Sequence, residues 1–158
     1  MTINRLKHVI LALLILIVVA SPVMAADPLQ PTTGQTVYVP AYSHIYHGNK
    51  ETPLLLSVTL SIRNIDPKGS LTINSVDYHE TEGALVKQYI KEPFVLGPLG
   101  SVRYVVPQKD NTGGSGANFI VEWQSDSPVN PPILETVMIG TQSQLGISFT
   151  SRGQAVER

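Results

Sequence analysis

The sequence predicts an all-β domain, folded as a two-sheet antiparallel sandwich. Three observations carry this. Leu56, Val58, Leu60 and Ile62 alternate with Ser57, Thr59, Ser61 and Arg63, the period-two pattern of a strand with one dry and one wet face. Other short segments of the same character recur along the chain, separated by turn signals such as Asp66-Pro67-Lys68-Gly69 and Gly97-Pro98-Leu99-Gly100. No segment shows a sustained helical period with caps. Seven to nine short strands at this spacing favour a sandwich, with a small closed β-barrel as the alternative.

The chain has 158 residues. Arg5 and Lys7 precede an unbroken apolar run from Val9 to Ala20, and Val23-Met24-Ala25 supplies a peptidase-readable end. Residues 1–25 are therefore expected to be a signal peptide, with cleavage before Ala26 and export to the periplasm or cell envelope. The run is short for a membrane span and Pro22 interrupts it, so membrane contact is expected only through this segment before cleavage. Its removal takes Lys plus Arg from 11 to 9 against 12 Asp plus Glu, leaving a net charge of −3. That is no electrostatic footprint for nucleic acid. There is no cysteine, so disulfides, thiolate metal sites and thiol nucleophiles are excluded. Any immunoglobulin-like character is thus one of architecture, and no cofactor is expected.

Residues 26–35, rich in Pro, Thr and Gly, read as a flexible lead-in. The sandwich is expected over 36–153 and a polar tail over 154–158. Thr36 to Val39 is a first strand stopped by Pro40, and Pro53 bars a central strand before Leu54. In the strand from Leu71 to Tyr78 the apolar phase slips between Ile73 and Val76, which predicts a bulge at Asn74-Ser75. Strands follow at Leu85–Ile90, Pro93–Leu96 and around Val102, Tyr104 and Val106. Ser125 to Pro132 reads as a polar loop. Ile133 to Ile139 lacks clean alternation and reads as buried on both faces. Leu145, Ile147 and Phe149 mark a last strand.

Asp110 to Trp123 joins the glycine run Gly113-Gly114-Ser115-Gly116 to a strand in which Phe119, Val121 and Trp123 face one way and Asn118, Ile120 and Glu122 the other. Trp123, the sole tryptophan, is the expected core anchor. The glycine run is not a phosphate loop, because no Lys follows Gly116 and a strand comes next. Gly113-Gly114-Ser115-Gly116-Ala117 falls one residue short of a nucleophile elbow and lacks the helix an elbow needs. A backbone anion nest is open to it. A mobile inter-strand loop on a β scaffold, where binding is often placed, is the plainer reading.

Several stretches together resemble an uncharacterised family of exported bacterial proteins, domain of unknown function 3124. They are Val37 to Tyr46, Leu60 to Asn64, Gly113 to Trp123, Met138 to Gly140 and Gly146 to Gly153. The resemblance spans Thr36 to Gly153. It implies bacterial origin and passage through the inner membrane, and no activity, ligand or catalytic residue.

Two function classes follow. The first is a non-enzymatic binding or assembly module that meets an envelope protein or glycan. Its candidate binding residues are Tyr38, Tyr42, His44, Tyr46, His47, Gly113, Gly114, Ser115, Gly116 and Asn118. Tyr38, Tyr42 and Tyr46 recur every fourth residue, and in extended chain that spacing places them on one side. The second is a metal-binding protein or hydrolase using His44 and His47 or Ser115. It is the weaker, since His44 and His47 point to opposite faces of a strand. Asp77, Glu80 and Glu82 make an acidic turn read as solvated loop charge.

Overall fold

Alternating strands bury their apolar sides against each other. A computed structural model of the chain describes residues 30–49, 51–141 and 146–157. The expected signal peptide and Leu145 lie outside the described residues. Among those described there is no helix. The strands are β1 (Thr32–Pro40), β2 (His44–His47), β3 (Thr52–Leu55), β4 (Ser57–Arg63), β5 (Leu71–His79), β6 (Leu85–Gln88), β7 (Phe94–Leu96), β8 (Ser101–Val106), β9 (Asn118–Val129), β10 (Ile133–Gly140), β11 (Ile147–Arg152) and β12 (Gln154–Val156).

One sheet runs β12-β1-β9-β5-β6, with β7 also on β5. The second runs β11-β10-β4-β8, and β2 and β3 form a separate two-stranded sheet. All pairings are antiparallel. The molecule is a β-sandwich, and neither sheet closes, so the barrel alternative is set aside.

Register explains the core. Across the first sheet Val39, Phe119 and Tyr78 form one inward row, and Val37, Val121 and Val76 the next. Gln35, Trp123 and Ile73 form a third. Asn74 falls where the β5–β9 register shifts, between Ile73 and Ser75. The extra residue lets odd-numbered Leu71 and Ile73 share a face with even-numbered Val76 and Tyr78, the slip seen in the sequence. From the second sheet Val58, Leu60, Ile62, Val106, Leu134 and Met138 complete the core. Thr136, also inward, donates its hydroxyl to the Pro40 carbonyl at 2.6 Å and ties the sheets together. Tyr89, after β6, donates its hydroxyl to the Val105 carbonyl on β8 at 3.2 Å, covering part of an otherwise open edge.

Four expectations about the strands change. β1 begins at Thr32, because Gly34 and Gln35 already pair with Gln124 and Trp123. β9 continues to Val129 through the stretch read as a loop; Pro128 is tolerated because the β1–β9 register is irregular there. β10 is not buried on both faces: Leu134, Thr136 and Met138 are buried, while Ile133, Glu135, Val137 and Ile139 face outward. Residues 154–156, read as part of a polar tail, form a strand, since Gln154–Val156 pair with Thr36–Tyr38. β11 and β12 belong to different sheets with Gly153 at the switch, where a Cβ would meet Val37 Cγ1 at 2.8 Å and Val39 Cγ2 at 3.0 Å.

The end of the sandwich holding the β4–β5 and β9–β10 connections is closed by backbone capture. Buried Asn64 donates through Nδ2 to the carbonyls of Gly69 (2.8 Å) and Gly97 (2.9 Å) and accepts the Asp66 N–H at 2.9 Å. The Asp66 carboxylate accepts N–H groups of Asn130 (3.0 Å), Gly69 (2.7 Å) and Lys68 (2.9 Å). These bonds, Asn130 first, hold its pKa below the ordinary 3.8. A carboxyl depressed in the folded state stabilises the fold above its unfolded pKa, and that contribution is lost as pH falls through the folded value. Urea midpoints measured against pH should therefore drop on acidification below 3.8, and Asp66→Asn should flatten the drop. An unchanged acid limb in the variant would show that Asp66 makes no such contribution.

Candidate functional site

At the opposite end three connections meet: the segment from Ala41 through the β2–β3 hairpin, the β5–β6 turn and the β8–β9 loop. Composition suggests the glycine-rich loop is loose, but its hydrogen bonds fasten it on two sides. The Gly114 carbonyl accepts the Ser43 N–H (3.0 Å) and the Ser43 hydroxyl (2.9 Å). The Gly113 carbonyl accepts the Thr81 N–H and hydroxyl, both at 3.0 Å, and Gly116 N–H donates to Thr81 Oγ1 at 3.1 Å. Ala41 N–H donates to the Ala117 carbonyl at 2.8 Å. The glycines serve close approach. A Cβ on Gly113 would collide with the Tyr78 hydroxyl, and one on Gly114, whose φ is +78°, with Thr81 Oγ1. Ser43 and Thr81, which make this clamp, carry no motif in the sequence; only the pairing of distant loops reveals them.

Under the loop lies Tyr78, 1% exposed, its ring 4.9 Å from that of Phe119. Burial, then the charges of Asp110 and Tyr89, push its pKa up to about 12, against a smaller lowering by the Ser43 hydroxyl. Ser43 is already committed to Gly114, and the Tyr78 hydroxyl makes no well-formed hydrogen bond among the described residues. A phenol so placed stays protonated at ordinary pH and packs in the core.

On this frame stands the β2–β3 hairpin, paired His44 to Leu55 and His47 to Thr52. Pro53 fits because the hairpin is outside both main sheets. His44 and Tyr46 share one face of β2, with rings 5.2 Å apart at 81° and Nε2 3.3 Å from the tyrosine hydroxyl. Tyr46 is 53% exposed. His47 alternates to the other face.

The ten sequence candidates divide. His44, Tyr46 and His47 sit on the hairpin, Gly114 borders it through Ser43, Ser115 follows in the same loop, and Gly116 bonds to Thr81 instead. Gly113 is buried, and Asn118, also buried, pairs with Pro40 and His79 at the start of β9. The tyrosines do not form one stripe. Tyr42 packs edge-on against Phe149, with centroids 5.8 Å apart. Tyr38 lies on the outer face of the first sheet between Ile120 and Gln154. The chain turns after Pro40, which breaks the straight extension that the four-residue spacing needs.

The enzyme and metal candidates stand in separate settings. Ser115 is followed by β9, a strand, where an elbow needs a helix. Among the described residues no three His, Cys, Asp or Glu groups converge. His79 Nδ1 lies 3.0 Å from the Gly83 carbonyl in its own turn. Glu80 accepts the N–H groups of Glu82 (2.9 Å) and Ala84 (2.8 Å), which lower its pKa and close that turn.

Comparison with known proteins adds a family and no activity. The family described as "Protein of unknown function (DUF3124)" matches residues 34–156. A solved structure titled "Crystal Structure of Thermotoga maritima 1070" is similar at a TM-score of 0.45 and 13% identity, over 76% of this chain and 92% of that one. No curated protein matches.

Proposed function

We propose, from the premise that this chain belongs to the DUF3124 family, that it is a non-enzymatic binding or assembly module, exported to the cell envelope. The observation that carries the binding reading is the β2–β3 hairpin. It stands apart from both main sheets and presents the edge-to-face His44–Tyr46 pair on a clamped base. Such a pair offers flat apolar area with polar tips, and the rigid base lowers the ordering cost on contact. The partner it fits is an envelope protein, with a glycan the other class that an exposed tyrosine suits. Export rests on the pattern of residues 1–25.

The experiment is a pair of variants compared for thermal stability and for the phenotype of a deletion strain. Ser115→Ala should fold and complement, because no nucleophile is lost. Tyr46→Ala with His44→Ala should fold within about 1 kcal/mol of the parent, because Tyr46 is exposed and His44 only partly buried, and fail to complement. A folded Ser115→Ala protein that fails to complement would contradict the binding reading and favour a serine-dependent reaction.

A further inference from the structure

The outer face of the second sheet collects charge in a way the sequence order hides. Register places Arg152, Glu135, Ser61 and Arg103 in one row across β11, β10, β4 and β8. Arg63 follows two residues after Ser61 on β4, opposite Ser101. Three arginines and one glutamate are the charged residues on this face, in a chain whose overall net charge is −1. The single glutamate leaves an excess of two positive charges, and its contact with Arg63 is long: the Nε–Oε1 separation is 3.9 Å, with the Arg63 side chain 57% exposed. Arg63 Nε also donates to Ser61 Oγ at 3.1 Å, which orients the guanidinium. Among the described residues, Arg103 and Arg152 have no ion-pair partner.

Arg63 and Arg103 line an open concavity of about 360 Å³ together with Thr59, Ser61 and Ser101 and the apolar Val102 and Val137. Diagonal neighbours on adjacent strands are about 7–8 Å apart, so these two guanidiniums can grip one oxyanion from both sides. Arg152 is three strand spacings from Arg103, about 14 Å, and reaches a second anionic group of the same ligand. We propose that this face binds an acidic glycan, with a carboxylate-bearing sugar seated between Arg63 and Arg103 and a further acidic unit at Arg152. The hydroxyl-bearing Thr59, Ser61 and Ser101 in the lining suit sugar hydroxyls. The four strands' outward residues include no aromatic on which a nucleic-acid base could stack. A flat bilayer would touch the arginine rim and leave the concavity unfilled. This site is separate from the hairpin and does not depend on its role.

The test is titration of the purified protein with polygalacturonate oligomers, with neutral dextran and phosphatidylglycerol vesicles as comparators. The oligomers should bind, more weakly at high salt, and dextran should not. Arg103→Gln, at an exposed edge position, should weaken oligomer binding about tenfold or more. Glu135→Gln, which removes the competing carboxylate, should tighten it. Absence of oligomer binding, oligomer binding unchanged in Arg103→Gln, or arginine-dependent binding to vesicles alone would each overturn the proposal.

Discussion

Trp123→Ala is expected to lower the unfolding free energy by about 3–5 kcal/mol. The indole is 2% exposed and lies between Gln35 on β1 and Ile73 on β5, in the innermost strand of the larger sheet. The bulge at Asn74 turns Ile73 toward it, and a gap there is bounded by two paired strands that cannot easily collapse. Domains of this size are stable by roughly 5–15 kcal/mol, so the variant should be largely unfolded at growth temperature. Trp123→Phe is the informative companion. The indole Nε1 is buried without a hydrogen-bond partner among the described residues, so the smaller ring removes an unsatisfied donor as well as volume. Its cost should be under about 1.5 kcal/mol. Urea unfolding of the three proteins checks both values. A loss below about 1 kcal/mol for Trp123→Ala would mean that the ring is not a core anchor.

Gly113→Ala should cost about 3 kcal/mol, the upper range for overpacking a filled interior. The added methyl meets the Tyr78 hydroxyl, its Cζ at 2.6 Å and the Ala117 Cβ at 2.7 Å. None can retreat easily: the buried Tyr78 ring packs against that of Phe119, and Ala117 is held by the Ala41 N–H. A double-mutant cycle isolates the contact. Tyr78→Phe removes a buried hydroxyl that lacks a well-formed bond, so by itself it should be neutral or mildly stabilising. In that background Gly113→Ala should cost about 1 kcal/mol less, because the hydroxyl contact is gone while the Cζ contact stays. A loose loop would instead absorb the methyl, and Gly113→Ala would then be silent.

Much of the fold was legible from alternation alone. Leu56 to Ile62 and Phe119 to Trp123 face inward as their period requires, and the phase slip at Asn74 located a real bulge. What could not be read was which strands are neighbours. Gln154–Val156 look like a polar tail until they are seen on β1, and the end of β9 looks like a loop because Pro128 masks its pairing. The candidate site shows the same division. His44 is legible as one of a histidine pair and Tyr46 as one of a tyrosine repeat, but their shared face on β2 is not, and the four-residue tyrosine spacing misleads once the chain bends after Pro40. Glycine composition indicated freedom. Those glycines instead permit contact with Tyr78 and Thr81, which lie far away in sequence.

Cross-linking from the hairpin tests the binding-module reading most directly. A photo-reactive residue placed at Tyr46, on the exposed face of β2, should give a discrete adduct with one envelope partner in living cells. The same residue at Val95, exposed on β7, should not, and adding the His44→Ala change should remove the adduct without shifting the melting temperature. An adduct that forms equally from Val95, or none from Tyr46 in a strain where the protein complements its deletion, would contradict the assignment of the hairpin as the contact surface.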